Sequence, residues 1–146
     1  MRIGIISGYF NPIHTGHLDY IEGARKKCDM LYVIVNNDDQ VKMKGSTMFM
    51  PEEARLRIVD ALACVNKAVL SIDDNPTVVK TISSIFEQFR YDPFVEEFCF
   101  MNGGDRGNGN TPEANFCNAN NIKLIYNVGG EKTESSSNLI ESVKKM

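Results

Sequence analysis

The chain lacks the marks of several large functional classes. Cationic excess is missing: 16 Lys and Arg stand against 19 Asp and Glu, giving a net charge of −3 and a pI near 5.4. Non-specific affinity for nucleic acid comes from clustered Lys and Arg, so this balance argues against a polymeric nucleic-acid partner. No stretch approaches the roughly 20 apolar residues of a membrane span, and no basic leader precedes an apolar run. A cytoplasmic protein with no membrane partner is expected. Cys28, Cys64, Cys99 and Cys117 form no Cys-x-x-Cys pair and share no metal-ligand spacing, so buried free thiols in a reducing compartment are expected. The dinucleotide fingerprint Gly-x-Gly-x-x-Gly and the P-loop are both absent. Neither an internal repeat nor a low-complexity segment is visible. Histidine is scarce: there are two, and both fall within His14-Thr15-Gly16-His17.

What is present begins at that stretch. Ile3, Ile5 and Ile6, apolar without strict alternation, predict a strand covered on both faces, as in a parallel sheet. Gly8 is expected to let the backbone come close to a ligand. Pro12 ends the extended path, Gly16 removes a side chain between the imidazoles, and a helix follows with Leu18, Ile21 and Ala24 at core spacing. Two imidazoles at a helix N-terminus, where unpaired N–H groups and the dipole favour anions, describe a phosphate site.

The run Gly8-Tyr9-Phe10-Asn11-Pro12-Ile13-His14-Thr15-Gly16-His17 resembles the Gly-x-Phe-Asp-x-x-His-x-Gly-His signature of the cytidylyltransferase-like nucleotidyltransferases. These enzymes join a nucleoside monophosphate to a phosphorylated acceptor. Asn11 stands where Asp is commonest, keeping hydrogen-bonding capacity without the charge. The resemblance implies catalytic roles for His14 and His17 and nucleotide contacts from Gly8, Tyr9, Phe10, Asn11 and Gly16.

Met30 to Val35 reads as a second buried strand. The polar run Asn36 to Asp39 beyond it should share a rim with Gly8 to Asn11, because open parallel sheets bind ligands outside their strands' carboxyl ends. Asp38 is a candidate for acceptor hydroxyls, although Asn and Asp are also good turn formers. Val41 to Met50 reads as a polar loop, and the resemblance implies a phosphate contact from Lys44 in it. Pro51 opens a helix to about Cys64, with Glu52 and Glu53 in its first turn and Leu56, Val59 and Ala63 buried. Arg55 matches a family arginine; it is read either as a phosphate ligand or as the partner of Glu52 one turn away.

Lys67 to Ile72 gives a third strand. Asn75 is read as the N-cap and Pro76 as the first position of a helix running from Thr77 to Arg90, whose Val78, Ile82, Ile85 and Phe89 face the core. Phe98 to Met101 is a fourth strand ending in Gly103-Gly104-Asp105, and the resemblance sets Asp105 beside the nucleotide or acceptor. A helix capped by Thr111 follows, then a fifth strand, Lys123 to Val128. Ser135, Ser136 and Ser137 offer hydroxyls at a helix start, a second anion site. They resemble the family's Ile-Ser-Thr-Thr element near the nucleotide phosphates. The arginine five residues before it is replaced by Gly130, with Lys132 as the candidate substitute.

Alternating strands and helices predict an α/β, Rossmann-like, doubly wound five-stranded parallel sheet with helices on both faces, in one domain covering 1–146. The resemblance implies transfer of CMP or AMP to a polyol or sugar phosphate such as glycerol 3-phosphate, with Mg²⁺ carried by the triphosphate, no protein metal site, and a homodimer. Glycerol-3-phosphate cytidylyltransferase and heptose-1-phosphate adenylyltransferase are the members it resembles most. A sensor or structural subunit that binds nucleotide without turnover is the alternative, and the histidines, Lys44 and the serine run argue against it.

Overall fold

The computed structural model describes residues 1–104 and 110–130. Strands β1 (Arg2–Gly8), β2 (Met30–Val35), β3 (Lys67–Leu70), β4 (Glu97–Met101) and β5 (Lys123–Ile125) form one parallel sheet in the order β3-β2-β1-β4-β5. The helices are α1 (Thr15–Arg25), α2 (Asp38–Lys44), α3 (Glu52–Asp60), α4 (Val79–Phe89) and α5 (Pro112–Ala119). This is the doubly wound, Rossmann-like architecture expected from the alternation.

The central strands explain why both faces had to be covered. Ile6, Leu31, Val33, Val35, Cys99 and Met101 pack on one face with Ile21 and Ala24 of α1 and Val59 of α3. Ile3, Ile5, Tyr32, Ile34, Phe98 and Phe100 pack on the other with Ile82, Ile85 and Phe86 of α4 and Cys117 of α5. Successive side chains alternate faces, so an unbroken apolar run is what a strand with two covered faces requires. Gly4 leaves room in the first layer: a Cβ there would lie 2.7 Å from Cys28 Sγ.

Strand order reverses at β1. The chain moves outward through β2 and β3, then crosses to β4 on the opposite side of β1. Helices that leave a central strand in opposite directions open a crevice at its carboxyl end, so topology alone directs a ligand to the end of β1 beside β4.

Several boundaries differ from the sequence reading, each for a local reason. The segment after β2 is a helix, α2, where a loop is expected. Asn37 caps it, its side chain accepting the Gln40 N–H while the Gln40 side chain accepts the Asn37 N–H, and Gly45 closes it with φ of 74°. Its buried apolar content is one residue, Val41, because Met43 is exposed, too little for periodicity to reveal. Helix α3 stops at Asp60, leaving Ala63 exposed. Helix α4 begins at Val79 without a cap from Asn75, whose side chain instead takes the Thr77 N–H and hydroxyl. Asp73 does the capping, accepting the N–H groups of Lys80 and Thr81. Strand β3 ends at Leu70, with Ile72 exposed, and β5 ends at Ile125 before Asn127 turns to φ of 58°. Among the described residues no helix is long and apolar enough to cross a membrane.

Candidate functional site

At the end of β1 the motif folds in on itself. Phe10, with φ of 51°, is 1% exposed, and a Cβ on Gly8 would meet its ring at 2.8 Å. The Gly8 position therefore seats the Phe10 ring. Phe10 in turn packs edge-on against the His17 imidazole, with centroids 5.1 Å apart. An apolar residue of the motif thus fixes the plane of a chemical one.

The two histidines build the start of α1. His14 is the N-cap, in extended conformation, and its Nδ1 accepts the Gly16 N–H at 3.0 Å. His17 Nδ1 accepts the His14 N–H at 3.1 Å. This is a capping box in which imidazoles take the places of the usual hydroxyl and carboxamide. The rings lie nearly parallel, centroids 3.9 Å apart. Because both Nδ1 atoms accept, a neutral ring carries its proton on Nε2. The pair is thereby held at the helix start by the two Nδ1 atoms.

The facing rim comes from α2, the following loop and α3. Asn11 clips that loop: its Nδ2 donates to the Thr47 carbonyl at 2.8 Å, while Oδ1 accepts the N–H groups of Phe49 (2.9 Å) and Met50 (3.1 Å). The amide is thereby committed to the protein. A carboxylate could repeat the two acceptances but not the donation, which accounts physically for Asn at this position. Lys44 sits in the last turn of α2, exposed, with its Nζ 4.3 Å from the centroid of the Tyr9 ring. Burial pushes the Tyr9 phenol above its ordinary value.

Arg55 is 1% exposed. Its Nε donates to the Met50 carbonyl, Nη1 to the carbonyls of Tyr9 (2.8 Å) and Asn36 (2.6 Å), and Nη2 to Asp38 Oδ1 (2.8 Å). Of the two sequence readings, pairing with a carboxylate is the geometry found, but the partner is Asp38. Glu52 instead accepts the Asp38 N–H at 2.9 Å. Arg55 and Asp38 thus meet each other inside the rim, and the arginine binds three segments through their carbonyls.

Sequence reasoning missed Gln40, fully buried, whose Oε1 accepts from Asn36 and Asn37 and whose Nε2 donates to the carbonyls of Asn75 and Thr77. The signal was present: Asn37 followed three residues later by Gln40 is a capping-box spacing. Tyr20 was also missed. Its hydroxyl donates to the Met101 carbonyl at 2.6 Å, tying α1 to the end of β4, and burial raises its phenol well above the usual tyrosine range. No periodicity could have announced that bond.

Beyond β4, the Asn102 carbonyl accepts the Val128 N–H and the Gly104 carbonyl accepts the Asn127 N–H. Gly129 then crosses α1 so closely that a Cβ on it would lie 2.9 Å from the Tyr20 Cα. Asp105, Lys132, Ser135, Ser136 and Ser137 lie outside the described residues. All four thiols are free; Cys99 and Cys117 are buried, whereas Cys28 and Cys64 are half-buried. Burial pushes Cys99 up to about 11 and Cys117 up to about 12, so both are protonated core residues at neutral pH.

Comparison with known proteins shows the family and the fold. Residues 5–132 match the family model described as cytidylyltransferase-like. An FAD synthase from Ferroglobus placidus is 40% identical over 85 residues, covering 58% of this chain and 54% of that protein. The bifunctional protein HldE of Acidiphilium cryptum is 40% identical over 77 residues, covering 51% of this chain and 16% of that protein. The chain thus spans about half the length of the first relative and a small part of the second. Among solved structures, the lipopolysaccharide core biosynthesis protein of Thermoplasma volcanium aligns over 92% of this chain and 99% of its own, with a TM-score of 0.64 at 19% identity, a likeness of fold.

Proposed function

The chain belongs to the cytidylyltransferase-like family, and we propose that it transfers CMP or AMP from a nucleoside triphosphate to a small phosphorylated acceptor, releasing pyrophosphate. The observation that carries this reading is the imidazole pair at the start of α1, with both Nδ1 atoms engaged by backbone N–H groups. With Nδ1 accepting in each, a neutral ring of either histidine carries its proton on Nε2 at a helix N-terminus, the arrangement a phosphate calls for.

In the reaction an acceptor phosphate oxygen attacks the α-phosphorus, the bond from that phosphorus to the β-bridging oxygen breaks, and pyrophosphate departs. The acceptor is already ionised near neutrality, so no general base is required. What the protein supplies is alignment and donors for a more negative, crowded transition state. In this reading His14 and His17 donate from Nε2 to the α-phosphate oxygens and the bridging oxygen. Lys44 meets the phosphates from α2, and the backbone from Gly8 to Asn11, with Gly16, flanks the nucleotide.

The resemblance assigns Asp105 to the nucleotide or acceptor, and Ser135, Ser136 and Ser137, with Lys132, to the pyrophosphate end. The crossing of Gly129 over Tyr20 supports this reading. Tyr20 is about one turn from His17, and six residues of chain reach as far as about 20 Å. Arg55 and Asp38 act here through the backbone they hold rather than by touching substrate.

In this reading Mg²⁺ arrives on the triphosphate, as the resemblance implies, and would neutralise charge on its oxygens. The FAD synthase relatives favour AMP transfer onto a flavin phosphate, while the resemblance noted in the sequence favours a polyol or sugar phosphate. The homodimer implied by that resemblance is tested by sedimentation.

The deciding experiment measures pyrophosphate release with CTP or ATP and Mg²⁺ against flavin mononucleotide, glycerol 3-phosphate and heptose 1-phosphate. Release that requires one nucleotide and one acceptor together supports the proposal and names the substrates. Thermal stabilisation by nucleotide without release from any pair would replace transfer with a binding subunit; a ligand at a hundred times its Kd adds about 2.7 kcal/mol, which is readily seen.

A further inference from the structure

We propose that Tyr9 is a positioning residue whose ring stations the Lys44 ammonium over the β1–α1 turn that leads into the histidine pair. The proposal rests on the transfer reading of this site and assigns Tyr9 a part that reading leaves open: it acts on the lysine rather than on the nucleotide. Lys44 is the last residue of α2, where a lysine ordinarily lies over its own terminal carbonyls, favoured by the dipole. Here it reaches across to the β1–α1 turn instead, with Nζ 4.3 Å from the Tyr9 centroid. That is well inside the roughly 6 Å over which an ammonium is drawn to an aromatic face.

The backbone that carries the ring is anchored. The Tyr9 carbonyl takes the Arg55 guanidinium at 2.8 Å, and the next residue, Phe10, is buried beneath Gly8 and against His17. Helix α2 is held just as firmly, through Asn37 to the carbonyls of Ser71 and Asp73 and through Asp38 to Arg55. Between these two anchored pieces the lysine side chain is the flexible part. A lysine meeting a phosphate must surrender rotamer freedom. One already settled on the ring has surrendered part of it before the nucleotide arrives, so the ring should act on triphosphate affinity more than on the chemical step.

Two measurements test this. In wild-type protein carrying ¹³C-lysine, with Lys44→Met for assignment, the Lys44 Cε protons should resonate upfield of the other lysines through the ring current, and should return to the common position in Tyr9→Leu. Coincidence with the other lysines in the wild type overturns the proposal, and this outcome does not require the Leu variant to fold. In kinetics, Tyr9→Leu should raise the triphosphate KM about fivefold with kcat little changed, the size expected from one weak exposed cation–ring contact. Tyr9→Phe should restore the wild-type KM, because the ring is kept. In a Lys44→Met background, Tyr9→Leu should add nothing; an additive loss means Tyr9 acts independently of the lysine and sinks the idea. Failure of the wild type to release pyrophosphate would end the transfer reading while leaving the ring-current result intact, so the two failures are told apart.

Discussion

The two edges of the sheet are built by opposite means. At the carboxyl edge polar groups are buried: Asn36, Gln40, Arg55, Ser71, Asp73 and Thr81 are the buried polar residues of the described chain. Among the described residues no buried side-chain nitrogen or oxygen lacks a hydrogen-bond partner. At the amino edge polar groups meet in water: the N-terminal amine with Glu96, Arg2 with Glu97, and Arg90 with Glu87. Burying polar groups is costly unless each is bonded, and a fully bonded network admits few alternative arrangements. The edge that holds the crevice thus has its loops fixed by bonds that cannot slide, while the other edge needs only to be soluble. This contrast singles out the same edge as the histidine motif does.

The sharpest way to break the contrast is to remove one arginine from each edge. Arg55→Met strands the carbonyls of Tyr9, Asn36 and Met50 and leaves Asp38 without its partner. A loss of about 3–5 kcal/mol is expected, as for breaking other buried pairs. Arg2→Met opens an ion pair between half-exposed side chains and should leave urea unfolding nearly unchanged. Equal losses in the two variants would mean that burial is not what separates the edges.

A second test keeps the structure and removes the chemistry. His17→Asn preserves an acceptor near the Nδ1 position for the His14 N–H but loses the outer N–H. Turnover should fall about a hundredfold, near 3 kcal/mol of transition-state stabilisation, while the melting temperature moves little. A variant that melts far lower without losing specific activity would make the imidazole pair a cap and nothing more. The contrast would then describe stability alone.

How much could be read in advance follows the same division. The apolar layers were legible because burial on two faces imposes continuous runs such as Met30 to Val35, and the histidine turn was legible because its residues are adjacent in sequence. The rim was not. Arg55, Asn36, Asp38, Tyr9 and Met50 converge from separate segments, and hydrogen bonds between distant segments leave no period in a single sequence. Helix α2 escaped for a related reason: with one buried apolar side chain it is held by Gln40 and Asn37 rather than by a hydrophobic face.

Between the edges the interior is two apolar layers, expected to exclude water, and alkali should report it. Burial raises Cys99 from the ordinary thiol value of 9.0 to about 11 and Cys117 to about 12. The folded state therefore keeps these protons where the unfolded chain releases them. That preference is fully present below pH 9 and is lost as pH climbs through the folded values, so the melting temperature should fall progressively across this window. Cys117→Ala, compared over the same range, should flatten the fall. An unchanged slope would mean that the interior admits enough water to ionise the thiol, and the dry layer separating the edges would be in doubt.

The smallest expected effect asks whether bonding without burial is enough. Asn11 belongs to the carboxyl edge by position, yet its bonds to Thr47 and Phe49 are exposed. Asn11→Asp keeps both acceptances and loses the donation to Thr47, facing that carbonyl with a charge. About 1 kcal/mol is expected, the net value of one ordinary hydrogen bond, with amide exchange in the 46–50 loop quickening while that of α1 stays slow. A cost approaching that of Arg55→Met would show that the edge draws its rigidity from bond geometry whether or not water reaches it. A cost near zero, with exchange unaltered, would show that the loop is held from α3 and that the clip is incidental.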